Sequence, residues 1–282
     1  MYIRTISLIM FFLFTSLHAD VISGSSSGTG LDIDVTAAGL LTVDIGPFAQ
    51  SSGSAPSAYD LDNEFLGVDV DVGILVVEVA HVGADTINTT ASSTVDGSTG
   101  SKNAIGSSTV SGVDVTLIPA VDQIFPLPDF NDLLSITATT IGSTSTSSGD
   151  YGSLGSVGTS VLENLDIKVD GVSLVLDADP EPNTSVIVDA GGIAGLDIYL
   201  NEQIAIGDGI TSSGIRTNAL RIELDAITFG LVSALDSNII IGQSESLIVV
   251  PELSTLGLTS VALAAAMGLC FLPKRRRTRK VR

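Results

Sequence analysis

The sequence predicts a mainly β protein: a β-sandwich-like ectodomain with long strands, preceded by an N-terminal signal peptide and followed by one C-terminal transmembrane helix. Three observations carry this. Short interior segments alternate apolar and polar residues with period two, both ends are apolar runs beside basic residues, and no interior stretch sustains an apolar stripe at the helical period.

Residues 1–19 read as a secretory signal: Arg4 is a basic n-region, Ile6 to Leu17 an apolar h-region, and Leu17-His18-Ala19 a small-residue cleavage site before Asp20. Residues 20–47 then comprise a leader and the first strands. Ser23 to Gly30 is rich in Ser and Gly and predicts a flexible leader, whereas Leu31-Asp32-Ile33-Asp34-Val35 alternates as a half-buried strand does.

Residues 48–248 form the acidic β ectodomain. Val68-Asp69-Val70-Asp71-Val72, Val113-Asp114-Val115, Leu165-Asp166-Ile167-Lys168-Val169 and Ile222-Glu223-Leu224-Asp225 put branched apolar residues on one face and carboxylates on the other. Ser92 to Ser111 is small and polar but alternates loosely, which predicts exposed strands with turns. Ile141 to Gly158 is a Ser/Thr/Gly-rich stretch that reads as a long loop or a linker. Asp170-Gly171 between two strand-like runs predicts a hairpin over 161–178. No fixed-period repeat is evident, which argues against a propeller or solenoid.

Residues 249–282 differ from all of this. After Val249-Val250-Pro251-Glu252, the uncharged run 253–272 is long enough, at about 1.5 Å per residue, to span a bilayer as a helix. The basic tail 274–282 follows, and Lys274, Arg275, Arg276 and Arg277 act as its stop-transfer cluster on the cytoplasmic side. Taken singly, the N-terminal run also suits a membrane anchor and the C-terminal one an ordinary tail anchor. Two matched signals around one polar region favour export.

Charge narrows the function. Setting aside Glu252 leaves 31 of the 32 acids in residues 20–250, and setting aside Arg4 and the seven C-terminal cations leaves four of the 12 basic residues, a formal charge of −27. Only Lys102, Lys168, Arg216 and Arg221 are available to meet phosphate, so nucleic acid is excluded as a partner. Divalent cations and high salt suit such a surface, since both relieve its self-repulsion. Cys270 lies in the expected transmembrane helix, so the ectodomain has no disulfide and no thiol nucleophile.

Catalysis finds few candidates. Once His18 leaves with the signal, His81 is the one histidine, and it reads as an ordinary strand residue; no nucleophile-elbow pattern accompanies it. Zinc is not expected, because Cys is absent and no His-x-x-His-type spacing exists. Acid pairs abound, yet without Trp, and with only Tyr59, Tyr151 and Tyr199, a sugar-binding platform is thin. No enzyme activity is expected. For calcium, Asp60, Asp62 and Glu64 concentrate oxygen donors and are the candidate ligands. Asp177-Ala178-Asp179-Pro180-Glu181 is a second acidic cluster, and Gly191-Gly192-Ile193-Ala194-Gly195-Leu196-Asp197 loosely matches a calcium β-roll repeat; solvated acidic loops remain the plainer reading. Asn201-Glu202-Gln203 and Asn218 suit either a ligand site or turn-capping amides.

Two resemblances follow. Val250, Pro251, Glu252, Leu253, Ser254 and Thr255, with the helix and Arg-rich tail, resemble the PEP-CTERM sorting signal, departing at Leu253 where that family has a second proline. It implies processing by an exosortase-like enzyme at the inner membrane. Ala58-Tyr59, Val161 to Leu176, Leu200-Asn201-Glu202-Gln203, Thr217-Asn218-Ala219-Leu220-Arg221-Ile222 and Ser237 to Ser244 resemble the choice-of-anchor P family, an exported domain of unknown biochemical role. The combined expectation is a secreted cell-surface or matrix structural protein, membrane-anchored before processing, whose partners are extracellular polysaccharide or its own copies. Rival expectations are a secreted carbohydrate-active hydrolase and an adhesion module with a defined ligand. No cofactor is expected beyond calcium.

Overall fold

The computed structural model describes residues 20–250 except 38–40, 75–76, 118–133, 151, 170, 178, 191–192 and 230–231. Among the described residues no helix is long and apolar enough to cross a membrane; the expected signal peptide, transmembrane helix 253–272 and basic tail lie outside them.

The described residues are β throughout, as their alternation predicts. Its strands are β1 Ser23–Ala37, β2 Leu41–Ser54, β3 Tyr59–Ile74, β4 Val77–Ser93, β5 Lys102–Leu117, β6 Leu134–Gly149, β7 Gly155–Glu163, β8 Asp166–Val169, β9 Val172–Ser173, β10 Thr184–Ala190, β11 Ile193–Ile206, β12 Ser212–Phe229 and β13 Val232–Val249. One sheet runs β10-β11-β12-β13-β1-β2 and the other β3-β4-β5-β6-β8-β9, with β7 also on β6. Every pairing is antiparallel. Most strands adjacent in sequence pair within a sheet, except at β2/β3, β7/β8 and β9/β10, and β1 pairs β13, so the first strand sits inside a sheet. The sheets face each other across one core, which includes Leu31, Ile33, Val82, Val115, Ile136, Ile198, Ile222 and Ile239. Phe48 and Phe65, with ring centroids 5.7 Å apart, join the two sheets at the β2/β3 edge.

In β1, β4, β5, β6, β12 and β13 the alternation of buried positions at two-residue spacing is offset once by a three-residue step. The step falls at Gly28 to Leu31, Ala84 to Ile87, Val110 to Val113, Ala138 to Ile141, Thr217 to Leu220 and Ile241 to Ser244. Register shows these steps to be aligned. Gly67, Asp85, Gly112 and Thr139 occupy one row, bracketed by Leu66↔Thr86 with Val68↔Ala84, Gly83↔Asp114 with Thr86↔Ser111, and Ser111↔Thr140 with Val113↔Ala138. Asn201, Ala219, Gly242, Gly30 and Ala49 occupy the matching row of the other sheet. Positive φ falls on alternate strands of each row: Gly67 at 72° and Gly112 at 64°, then Asn201 at 51°, Gly242 at 70° and Ala49 at 48°. One left-handed residue re-aims the pleat, so both halves of a strand still face inward. At Gly112 the positive φ is what favours glycine.

This crease divides the interior by chemistry. On one side the inward residues are mainly Ile, Leu and Val, with Ala80, Ala84 and Ala138; on the other they are mainly Ser, Thr, Gly and Ala with a few larger side chains. Hydroxyls there bond from sheet to sheet: Ser143 Oγ donates to Ser244 Oγ at 2.9 Å, Ser145 Oγ to Thr217 Oγ1 at 2.9 Å, and Thr89 Oγ1 to Ser51 Oγ at 3.0 Å. The sheets nearly touch, since a Cβ on Gly28 would lie 2.0 Å from the Ser107 carbonyl oxygen.

Three sequence expectations change accordingly. Ser23 to Gly30, expected as a flexible leader, is the first half of β1, paired on both sides. Ile141 to Gly158, expected as a loop or linker, is most of β6 and the start of β7. Small polar alternation builds strands here because its hydroxyls find partners across the interior. The Asp-Gly hairpin forms, with Val169 opposite Val172, but Val161 to Glu163 end β7 instead of starting it.

Candidate functional site

Two polar clusters lie on the outer faces. The first is on β11–β13 beside the crease. Glu202 pairs across to Asn218, and Tyr199 to Arg221, so the register brings residues about 20 apart in sequence side by side. Asn218 Nδ2 donates to Glu202 Oε2 at 2.6 Å, Arg221 Nη1 to Glu202 Oε1 at 3.0 Å and Arg221 Nε to Asn238 Oδ1 at 3.3 Å; Arg221 also pairs with Glu223. Gln243 Nε2 donates to Asn218 Oδ1 at 2.8 Å, and the guanidinium lies 5.4 Å from the Tyr199 ring centroid. Asn201 and Gln203 form a separate set: Gln203 Nε2 donates to Asn201 Oδ1 and to the Gly158 carbonyl, and Asn201 Nδ2 donates to the Pro180 carbonyl. Of the segments of the choice-of-anchor P resemblance, Leu200 to Gln203, Thr217 to Ile222 and Ser237 to Ser244 lie on neighbouring strands, whereas Tyr59 and Val161 to Ser173 belong to the other sheet. With both carboxylate oxygens of Glu202 occupied and Asn218 buried, the patch works as a clasp that fixes the crease from outside.

The second cluster is on β3–β5, on the outer face of the apolar half. Asp71 lies opposite His81, Asp69 opposite Gly83, and Gly83 opposite Asp114. His81 Nδ1 is 2.7 Å from Asp71 Oδ1 and 3.9 Å from Asp69 Oδ1. Candidate ligand atoms of Asp69, Asp71 and His81 all lie within 4.8 Å of one another. The imidazole leans over Gly83, where a Cβ would be 3.4 Å from both His81 Nε2 and the Asp114 carbonyl oxygen. The hydrogen bond with Asp71 raises the His81 pKa above its ordinary value against some desolvation, and the charges of Asp71, Asp114 and Asp69 raise it further.

The calcium candidates are arranged differently. Asp60, Asp62 and Glu64 occupy alternate positions of β3, opposite Ser92, Thr90 and Asn88, and rise along the strand about 7 Å apart. Asp177 accepts from the Asp179 backbone N–H at 3.1 Å, as a turn residue does. Ile193 to Asp197 belong to β11. Of the sorting and cleavage residues, Asp20 and Val250 are described; Ala19, Pro251, Glu252, Leu253, Ser254, Thr255, Lys274, Arg275, Arg276 and Arg277 lie outside the described residues.

Sequence reasoning missed the partners of His81, although Val-Asp-Val-Asp followed ten residues later by His is the spacing a tight hairpin needs to bring them together. It also missed Asp208, which accepts from the backbone N–H groups of Ile210, Thr211 and Ser212 at 2.8–2.9 Å. Those bonds hold its carboxyl well below the usual carboxylate range.

Comparison with known proteins adds little to these geometries. No protein-family model matches the chain, and no curated protein matches it. Among solved structures it has a likeness to Ail, the attachment invasion locus protein of Yersinia pestis, at 8% identity over 80% of this chain and 99% of that one; with a TM-score of 0.16 the likeness carries no argument.

Proposed function

We propose that residues 20–250 form an exported bacterial surface or extracellular-matrix structural module, brought across the inner membrane by the N-terminal signal and processed at its Pro251-Glu252 motif by an exosortase-like enzyme. One observation carries the structural part. All four cations of this segment are engaged by its own carboxylates: Lys102 with Asp96 at 2.6 Å, Lys168 with Asp166 at 3.4 Å, Arg216 with Glu245 at 2.7 Å and Arg221 with Glu202 at 3.0 Å. The surface left to solvent is therefore anionic, and its partners are cations, neutral polysaccharide or further copies bridged by cations. Long strands paired over their full length suit a load-bearing body. The two terminal segments supply the export and sorting parts of the reading.

C-terminal mass spectrometry of surface material from an exosortase-bearing host tests it. The expected chain ends near Glu252. Peptides from Lys274 to Arg282 in the surface protein would show that the segment is only an anchor, and retention of the whole protein in the cytoplasm would overturn the reading.

A further inference from the structure

We propose that the His81 cluster is a binding site for a first-row divalent transition-metal ion, with His81, Asp69 and Asp71 as ligands and Asp114 on β5 as a further negative charge beside it. The inference is independent of the surface role proposed above. The donor set is the first reason. One imidazole nitrogen beside carboxylate oxygens is a mixed set that suits zinc, copper or nickel, whereas calcium takes oxygen alone.

Distances are the second reason. Zinc bonds of about 2.0–2.2 Å in a tetrahedron place donor atoms about 3.3–3.5 Å apart. His81 Nδ1 is 2.7 Å from one carboxylate oxygen and 3.9 Å from the other, values that bracket this separation. Small side-chain rotations therefore replace the hydrogen-bonded proton with a metal ion, and no backbone has to move. All four residues stand within paired strands, so the frame is rigid, and glycine at position 83 leaves open the space beneath the imidazole.

Charge is the third and separate reason. Three carboxylates face one imidazole, and each of the four fixed cations of residues 20–250 is paired elsewhere. Even protonated, His81 neutralises one of the three. A divalent ion supplies the charge that the chain does not.

The test uses the full chain in detergent, stripped with a chelator and titrated calorimetrically with zinc chloride, then with calcium chloride at matched ionic strength; cobalt(II) serves as a visible-absorption probe. The expected result is saturable zinc binding at a single site, with cobalt bands that zinc displaces. His81→Ala and Asp71→Asn should each weaken zinc at least about tenfold and abolish the cobalt bands. Asp60→Asn with Asp62→Asn should change neither. Because these side chains lie on an outer face, unchanged melting curves will show that the variants fold. The proposal is overturned if zinc binds no better than calcium, or if zinc affinity survives His81→Ala; the cluster is then a solvated hydrogen-bonded pair with a diffuse ion atmosphere.

Discussion

The two halves of the sandwich share strands, sheets and register, yet they are held together by different physics. In the apolar half, Ile222, Ile239, Leu220 and Ile136 exclude water and fill the space between the sheets. In the hydroxyl half, Ser143, Ser145, Thr217 and Ser244 are as fully buried or nearly so, but each carries a polar atom whose desolvation must be repaid by a hydrogen bond. Small side chains bring the sheets close enough for those bonds, and the closeness in turn forbids larger ones. The apolar half should tolerate a change of shape better than the hydroxyl half tolerates a gain in size.

The largest expected effect breaks the close approach. Gly106→Val puts a Cβ 2.2 Å from the Ser27 carbonyl oxygen and 2.5 Å from that of Glu245, both backbone atoms that cannot yield. Urea denaturation should show a loss of more than about 3 kcal/mol, or no folded protein. Gly155→Ala, with nothing within 4 Å of the new Cβ, is the control that should be near neutral.

Next comes a cavity in the apolar half. Ile222→Ala should cost about 2–5 kcal/mol, with the fold and register intact. A cost as large as that of Gly106→Val would erase the proposed contrast.

Single hydroxyls matter less, and unequally. Ser145 Oγ donates to Thr217 Oγ1 and lies 2.9 Å from Ser244 Oγ, so Ser145→Ala should cost about 1–3 kcal/mol. Ser108 Oγ is buried with no hydrogen-bond partner, so Ser108→Ala should be neutral or stabilising by up to about 1 kcal/mol. Equal losses at the two positions would mean that the hydroxyls act by volume and not by bonding.

The smallest effect sharpens the comparison at the open end of the hydroxyl half. Lys102 is buried there and donates to Asp96, which also accepts from the Ser98 hydroxyl and backbone N–H, and these bonds hold the Asp96 carboxyl well below the usual carboxylate range. A carboxylate depressed in the folded state adds stability above its unfolded pKa and loses it as pH falls through the folded one. Asp96→Asn should therefore flatten part of the acid limb of the stability curve while leaving the apolar half's hydrogen exchange unchanged. An unchanged acid limb would show the pair to be a screened surface contact.

How much of this was legible in the residues depends on what alternation can reveal. Val68 to Val72, Val113 to Val115 and Ile222 to Asp225 announced strands because apolar and charged side chains differ in transfer free energy, a property each residue carries by itself. Period two in Ser, Thr and Gly carries no such signal, so Ser23 to Gly30 and Ile141 to Gly158 read as leader and linker though they are core strands. A serine is an interior residue only when another hydroxyl meets it across the sheets, and that is a fact about pairs.

The candidate clusters follow the same rule. Glu202, Asn218, Arg221 and Gln243 were visible as polar residues in strand-like segments, but their union needed the β11–β13 register. His81 was visible as a lone histidine; the β3–β4 hairpin gave it Asp69 and Asp71, and β5 brought Asp114. By itself the sequence determined class and charge, each a sum over residues. Tertiary structure alone decided the crease, the hydroxyl interior and the His81 cluster, because each depends on distances between residues the chain holds far apart.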